Sequence, residues 1–311
     1  IHLITKYEKN FVGDKSSLIS IAAWTGSVEL LEKIIQKYKP FTRRNNILVA
    51  ACSLGNIDML IWGLEKKCNI NNCYNYAAEN GHLNIIKYAV TDTNANFAWN
   101  GKNISSIAAK HGHFEVLKYL DEINWVNIDK NTAVSAVEGN QIEITKWLYA
   151  KGGKWWDKST ACLVAAAKNG NFKIIKFLMK KKIKFPKDGS CYLDVAEGGN
   201  FHVLDWMLKK NIPFPTQVID KIFDYSRSKK NCFGFVKWLN QKGFYNENIF
   251  ANAIRYKIYN IAQWILEEKL PVPQNIKTFS LLLSSNQIIL AKLYLNYNTP
   301  CINDLTFQTG F

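Results

Sequence analysis

Along most of the chain the apolar residues form two short helical stripes around one small residue, and the arrangement recurs every 26 to 32 residues. The residue between the stripes is Gly26, Gly55, Gly81, Gly112, Asn140, Gly170, Gly199, Asn231, Lys257 or Asn286. From 26 to 286 the nine intervals average about 29 residues. Positions below are counted from this anchor. At −4 stands Ala in seven of the ten copies, the last three copies departing most from the pattern with Arg227 and Leu282 at −4 and Lys257 as anchor. A repeated mid-helix Ala marks a place where a neighbouring helix comes too close for a larger side chain. Positions +2 and +4 are apolar or aromatic throughout, from Val28/Leu30 to Ile288/Leu290, and +5 and +8 mostly follow, which completes one face of a helix. Gly and Asn tolerate the left-handed backbone at a helix C-terminus. At −9 a helix-capping residue type recurs, as in Ser17, Asn46, Asn131, Ser190 and Asn248. Each unit therefore reads as a short helix ending at the anchor, a tight turn, a second short helix and about ten residues of irregular chain.

A period of this size implies one supersecondary unit stacked on itself. The expected fold is an all-α helix–turn–helix repeat solenoid of about ten repeats spanning residues 17–311, with residues 1–16 as a partial or capping segment. Such a stack grows without enlarging a single core, so 311 residues need not mean two globular domains.

Charge separates the halves. Residues 1–150 carry a net +2 and residues 151–311 a net +13, with 17 basic against 7 acidic residues in 151–230. The seven cysteines are scattered and contain no C-x-x-C; Cys73, Cys162 and Cys191 share the apolar −8 slot, as small core residues of a reducing compartment do. An intracellular, cytoplasmic location is expected, and no apolar run is long enough for a membrane span.

Three features bear on chemistry. The +7 position is aromatic in eight copies, from Trp62 to Trp264, and repetition at one slot favours packing between repeats over a binding ladder. Position +6 is Lys in six copies and +3 is often acidic, a solvated stripe of ion pairs. The third feature is a basic block: Lys154 and Lys158, then Lys180, Lys181, Lys182, Lys184 and Lys187, then Lys209 and Lys210, which occupy equivalent places in three consecutive copies. Stacking brings these loops side by side as one basic edge. Trp156 stands in the first of them where later copies hold Pro, and is the candidate aromatic anchor; Trp155 shares its slot with Phe185 and Phe214 and reads as structural. The chain has only Arg43, Arg44, Arg227 and Arg255, which favours an acidic protein over nucleic acid as the occupant. Phosphate-loop, dinucleotide, zinc-protease and hydrolase motifs are absent, so neither catalysis, cofactor nor metal is expected.

The stretches Ala-Ala-Glu-Asn-Gly-His-Leu-Asn-Ile-Ile-Lys-Tyr (77–88) and Ala-Ala-Lys-His-Gly-His-Phe-Glu-Val-Leu-Lys-Tyr-Leu (108–120) resemble the centre of ankyrin repeats. The family period is about 33 residues with a Thr-Pro-Leu-His-x-Ala opening. Here the Pro and His of that opening are missing and the unit is about four residues shorter, so truncated hairpin fingers are expected. His82 and His113 occupy the Gly-His turn slot, where the resemblance implies hydrogen bonding between repeats. The Lys/Asn/Ile-rich vocabulary is similar to ankyrin proteins of large AT-rich DNA viruses of the mimivirus kind. The resemblance implies a non-catalytic protein-interaction scaffold that holds a partner, a host protein if the source is viral, along its inner helices and loops. The alternatives are binding of nucleic acid or another polyanion through the 151–230 block, and a structural role in a viral particle or assembly.

Overall fold

A computed structural model describes residues 15–37, 45–68, 73–91, 101–124, 129–152, 160–225 and 231–297. Among them every regular element is a helix. The chain divides into two compact units, 1–162 and 163–311.

Among the described residues of the first unit the helices come as five pairs: α1 (Lys15–Trp24) with α2 (Val28–Lys37), α3 (Asn45–Leu54) with α4 (Ile57–Glu65), α5 (Cys73–Asn80) with α6 (Leu83–Thr91), α7 (Gly101–His111) with α8 (Phe114–Glu122), and α9 (Lys130–Glu138) with α10 (Ile142–Ala150). The second unit starts within α11 (Ala161–Lys168), which pairs with α12 (Phe172–Lys180). It continues with α13 (Ser190–Glu197) and α14 (Phe201–Lys209), then α15 (Gln217–Asp220) and α16 (Ile222–Tyr225) before α17 (Cys232–Gln241). The pairs α18 (Asn248–Arg255) with α19 (Tyr259–Glu267) and α20 (Ile276–Ser284) with α21 (Ile288–Tyr297) complete it.

Successive first helices of the first unit pack more closely than successive second helices, and their buried residues repeat at −8, −7, −4 and −3. In α3 these are Ile47, Leu48, Ala51 and Cys52, all fully buried; in α7 they are Ile104, Ser105, Ala108 and Ala109. The alanines are the price of short interhelical distance: a larger side chain at −4 would push the neighbouring helix away. Leu282 takes the −4 slot of the last pair and is also fully buried. Beside that slot Tyr294 stacks on Phe250 at 5.7 Å and on Phe279 at 6.4 Å, so the packing here is aromatic. The eighth copy is irregular because its first helix is split into α15 and α16.

Most first helices close by one backbone device. The anchor takes positive φ (68° at Gly55, 58° at Asn140, 59° even at Lys257), and the N–H at +1 bonds the carbonyl at −4. Examples are Asn56 to Ala51 at 2.9 Å and Gln141 to Ala136 at 2.9 Å. The anchor Asn231 departs from this: its φ is −117°, and it serves as the N-cap residue of α17, the role that +1 residues play elsewhere. A second left-handed residue, which the repeat pattern alone does not reveal, lies at +12 after the second helix: Lys67, Asn124, Gly152, Lys182, Asn211, Gly243 and Lys269.

The start of the first helix corrects the sequence reading. Position −9 falls inside the first turn, and the cap sits one residue earlier at Gly189 and Glu247 and two earlier at Asp129 and Asn275. Asp129 accepts from Asn131 N (2.9 Å) and Thr132 N (3.0 Å), and Asn275 accepts from Thr278 N (2.8 Å). Asn46, inside α3, instead donates to Ser20 Oγ of the preceding pair at 3.0 Å.

Candidate functional site

In several repeats the side chain at +1 ties a pair to the one before. His82 Nε2 donates to Ser53 O at 2.8 Å and His113 Nε2 to Glu79 O at 2.7 Å. Asn200 and Asn231 use their amides in the same way on Lys168 O and Glu197 O, each at 2.6 Å. The anchor glycine makes room for this bridge: a Cβ on Gly81 would lie 2.3 Å from His113 Nδ1, and one on Gly170 would lie 2.6 Å from Asn200 Oδ1. Both histidines are thereby engaged in structure.

The aromatic column at +7 is structural for an equally specific reason. In six repeats the ring meets the +2 or +6 side chain of the preceding repeat. Trp147 is edge-on to Phe114 at 5.3 Å, Trp206 to Phe172 at 5.8 Å and Trp264 to Phe233 at 5.7 Å. Where +6 is acidic it accepts from the indole: Trp62 Nε1 donates to Glu32 at 3.0 Å and Trp238 Nε1 to Asp205 at 2.8 Å. In two repeats a Lys at +6 sits over the ring, Lys87 over Tyr119 at 5.4 Å and Lys237 over Trp264 at 5.5 Å. The +3/+6 stripe forms its ion pairs, Lys118 with Glu115 at 2.9 Å and Lys146 with Glu143 at 2.8 Å.

The thiols are inward-facing. Burial pushes Cys162 and Cys191 up to about 12, far from a reactive thiolate at neutral pH. A hydrogen bond shared with Cys73, together with burial, raises Cys52 as well. Among the described residues, no group of three His, Cys, Asp or Glu could hold a metal ion, and no helix is long and apolar enough to cross a membrane.

Two surfaces remain without such internal employment. The first lies on the first helices of the first unit, at −5, −2 and −1, the side opposite the buried stripe. Ile21, Trp24, Leu54 and Tyr76 are 40–52% exposed there. The equivalent slots of α13 hold Asp194, Glu197 and Gly198, so the fold does not require apolar residues at these positions. No repeating column in the sequence marks the exposed apolar side chains at −5, −2 and −1.

The second surface carries the basic block. Lys180 ends α12 and Lys181 and Lys182 follow it; Lys209 ends α14 and Lys210 follows; Lys184 and Lys187 lie on the loop 183–189. All seven are exposed. That loop and the loop 211–216 touch, since a Cβ on Gly189 would lie 2.3 Å from Pro215 Cδ and Tyr192 OH donates to Ile212 O at 2.7 Å. Phe185 is buried, and Phe214 packs on Tyr192, Phe244 and Trp238 at 4.9, 4.5 and 6.0 Å, so the +15 aromatics plug the loops, as the sequence suggests. Lys154, Lys158, Trp155 and Trp156 lie outside the described residues.

No family model matches the chain. It is 22% identical over 193 residues to a protein of Acanthamoeba polyphaga mimivirus that is provisionally named an ankyrin repeat protein. The match covers 58% of this chain and 30% of that protein's length. Repeating helix pairs, a left-handed residue closing each first helix and a ring or amide bridging from +1 agree with that likeness. The protein is an all-α chain of ankyrin-like helix–turn–helix repeats.

Proposed function

We propose that the chain is a non-catalytic protein-interaction scaffold that engages a partner through the first-helix face of its N-terminal unit. The observation that carries this reading is the exposure of Ile21, Trp24, Leu54 and Tyr76 on α1, α3 and α5. Large apolar and aromatic side chains left in water on successive first helices suit a partner that buries them. The buried thiols and the histidines committed to backbone carbonyls fit a role without catalysis. The mimivirus relative supports a viral setting, and on this reading the partner is a host protein and the host cytoplasm the site of action.

The test compares proteins retained from an Acanthamoeba lysate, after nuclease treatment, by the wild-type chain and by Trp24→Ala/Tyr76→Ala. Selective loss of one or a few proteins from the variant is the expected result, with unchanged circular dichroism. Identical retention by both would refute the assignment of this face, and loss of all retained proteins on nuclease treatment would favour nucleic acid.

A further inference from the structure

The pair α20–α21 leaves apolar side chains in water at slots that the earlier pairs keep covered. Leu283 at −3 is 52% exposed and Ile288 at +2 is 57% exposed. In the eight other copies where −3 is described, from Ala23 and Cys52 to Ala196 and Ile254, it is buried. The +2 side chain is half-buried in all nine other copies. The cover comes from the next repeat: Phe114, Phe172 and Phe233 at +2 meet the +7 rings of Trp147, Trp206 and Trp264. Among the described residues no pair follows α21, and the two slots stand open.

Ile289 turns these open slots into a patch. The +3 position is charged, polar or Gly in the other nine copies, as in Glu29, Asp58, Asn84 and Gly234. Here it is isoleucine, 77% exposed. A terminal repeat keeps a stack soluble by presenting a polar outer face. This one adds a large apolar side chain beside two others, as a surface does that is covered by a partner.

Charge indicates which partner. From −3 to +3 every other copy carries at least one Asp, Glu, Lys or Arg, and residues 283–289 carry none. A contact about a two-fold axis sets one patch against the identical patch, so any charge within it meets its like. An uncharged turn avoids that, which matters in a chain of net charge +15. We infer that two copies of this chain associate here, Leu283, Ile288 and Ile289 of one copy packing on the same three residues of the other.

The first described pair is not an alternative mate for this patch. Its +1 residue, Ser27, accepts from its own Leu30 N at 3.2 Å, and its +7 residue, Lys33, pairs with Glu29 at 2.5 Å. It therefore lacks both the bridging amide or imidazole and the ring that later pairs turn towards the one before. The copies meet like to like, and the assembly closes at two. Three aliphatic side chains from each copy make a small contact, which sets a dissociation constant on the order of 10 µM.

Sedimentation velocity of the purified full chain, from about 1 to about 100 µM, reads the mass. It should rise from the 35.6 kDa of one chain to twice that value. Leu283→Ala/Ile289→Asn gives both slots residue types they carry elsewhere, as at Ala23 and Asn84, and should weaken the dimer about tenfold or more with unchanged circular dichroism. Ile123→Ser, at an exposed apolar residue after α8, should leave it unaltered. A single-chain mass at every concentration, as when the same chain or a different protein covers the patch, overturns the proposal. So does a mass that climbs past two chains, or a double variant that dimerises like the wild type. Should the double variant lose helix, Ile289→Asn alone decides: an unshifted midpoint refutes the contact. The first-helix face is tested separately by the lysate comparison, so either result can fail without the other.

Discussion

Gly198 stands so close to Lys168 that a Cβ added to it would lie 1.9 Å from the Lys168 carbonyl oxygen. Gly139 has the same relation to Lys110, at 1.8 Å. In both places an amide at +1, Asn200 or Gln141, bridges to that same carbonyl; His82 and His113 bridge to the equivalent −2 carbonyls of Ser53 and Glu79, with Asn80 and His111 in the slot the glycine takes. The glycine is needed for close approach, since φ at Gly198 is an ordinary −69°.

Gly198→Ala should therefore destabilise the protein by about 3 kcal/mol, because backbone rather than a flexible side chain must move. Gly243→Ala, at a left-handed residue with nothing within 4 Å of the new Cβ, should cost only about 1 kcal/mol. Chemical denaturation of the two variants checks the order; equal losses would mean the close contact is relieved elsewhere.

Ala108→Leu and Ala166→Leu should each cost roughly 1–3 kcal/mol by overpacking fully buried sites between first helices. A lowered midpoint with an unchanged denaturant slope is the expected signature.

The Trp62–Glu32 bond joins two repeats through side chains, so a double-mutant cycle isolates it. Trp62→Phe and Glu32→Gln should show a coupling of about 1 kcal/mol, and additive losses would remove the bond from the account of the +7 column.

Lys182 has φ 65°, a conformation glycine adopts without strain. Lys182→Gly should stabilise the chain by about 1 kcal/mol, and Lys182→Val should destabilise it. Thermal melts of the pair give opposite signs if the turn is as described.

Burial pushes the Asp205 carboxyl up, but hydrogen bonds from Lys242 and Trp238 outweigh it and hold the group below its usual range. Its contribution is thus complete above the unfolded carboxylate value of about 3.9 and is lost as pH falls through the lower folded value. The stability difference between wild type and Asp205→Asn should be constant near neutrality and shrink below about pH 4. A difference that persists undiminished at lower pH would assign the effect to packing.

The stacking columns were legible because burial repeats: Ala51, Ala77 and Ala108 face the same constraint three times over. Turn chemistry was legible at Gly26 and Asn140, where residue type advertises the conformation. It was hidden at Lys67, Lys182 and Lys269, since lysine gives no sign of a left-handed backbone. The cap of the fifth pair was misplaced by two residues because Asn131 and Asp129 are both plausible caps by type, and only the hydrogen bonds separate them. The exposed Trp24 and Tyr76 were missed for a related reason: a surface residue need not recur, so no column announces it.

The two left-handed residues of a repeat lie twelve positions apart in every copy that shows both, as in Gly55 and Lys67, Gly170 and Lys182, or Lys257 and Lys269. The anchor-to-anchor distance nevertheless varies from 26 to 32 residues. In those copies the variation is confined to the segment after +12, so each behaves as a cassette of fixed length joined by an adjustable splice. Insertions and deletions can accumulate at the splice without disturbing the seam of glycines, rings and amides. New loop chemistry, such as the lysines after α12 and α14, can thus arise in one repeat while its neighbours keep their register.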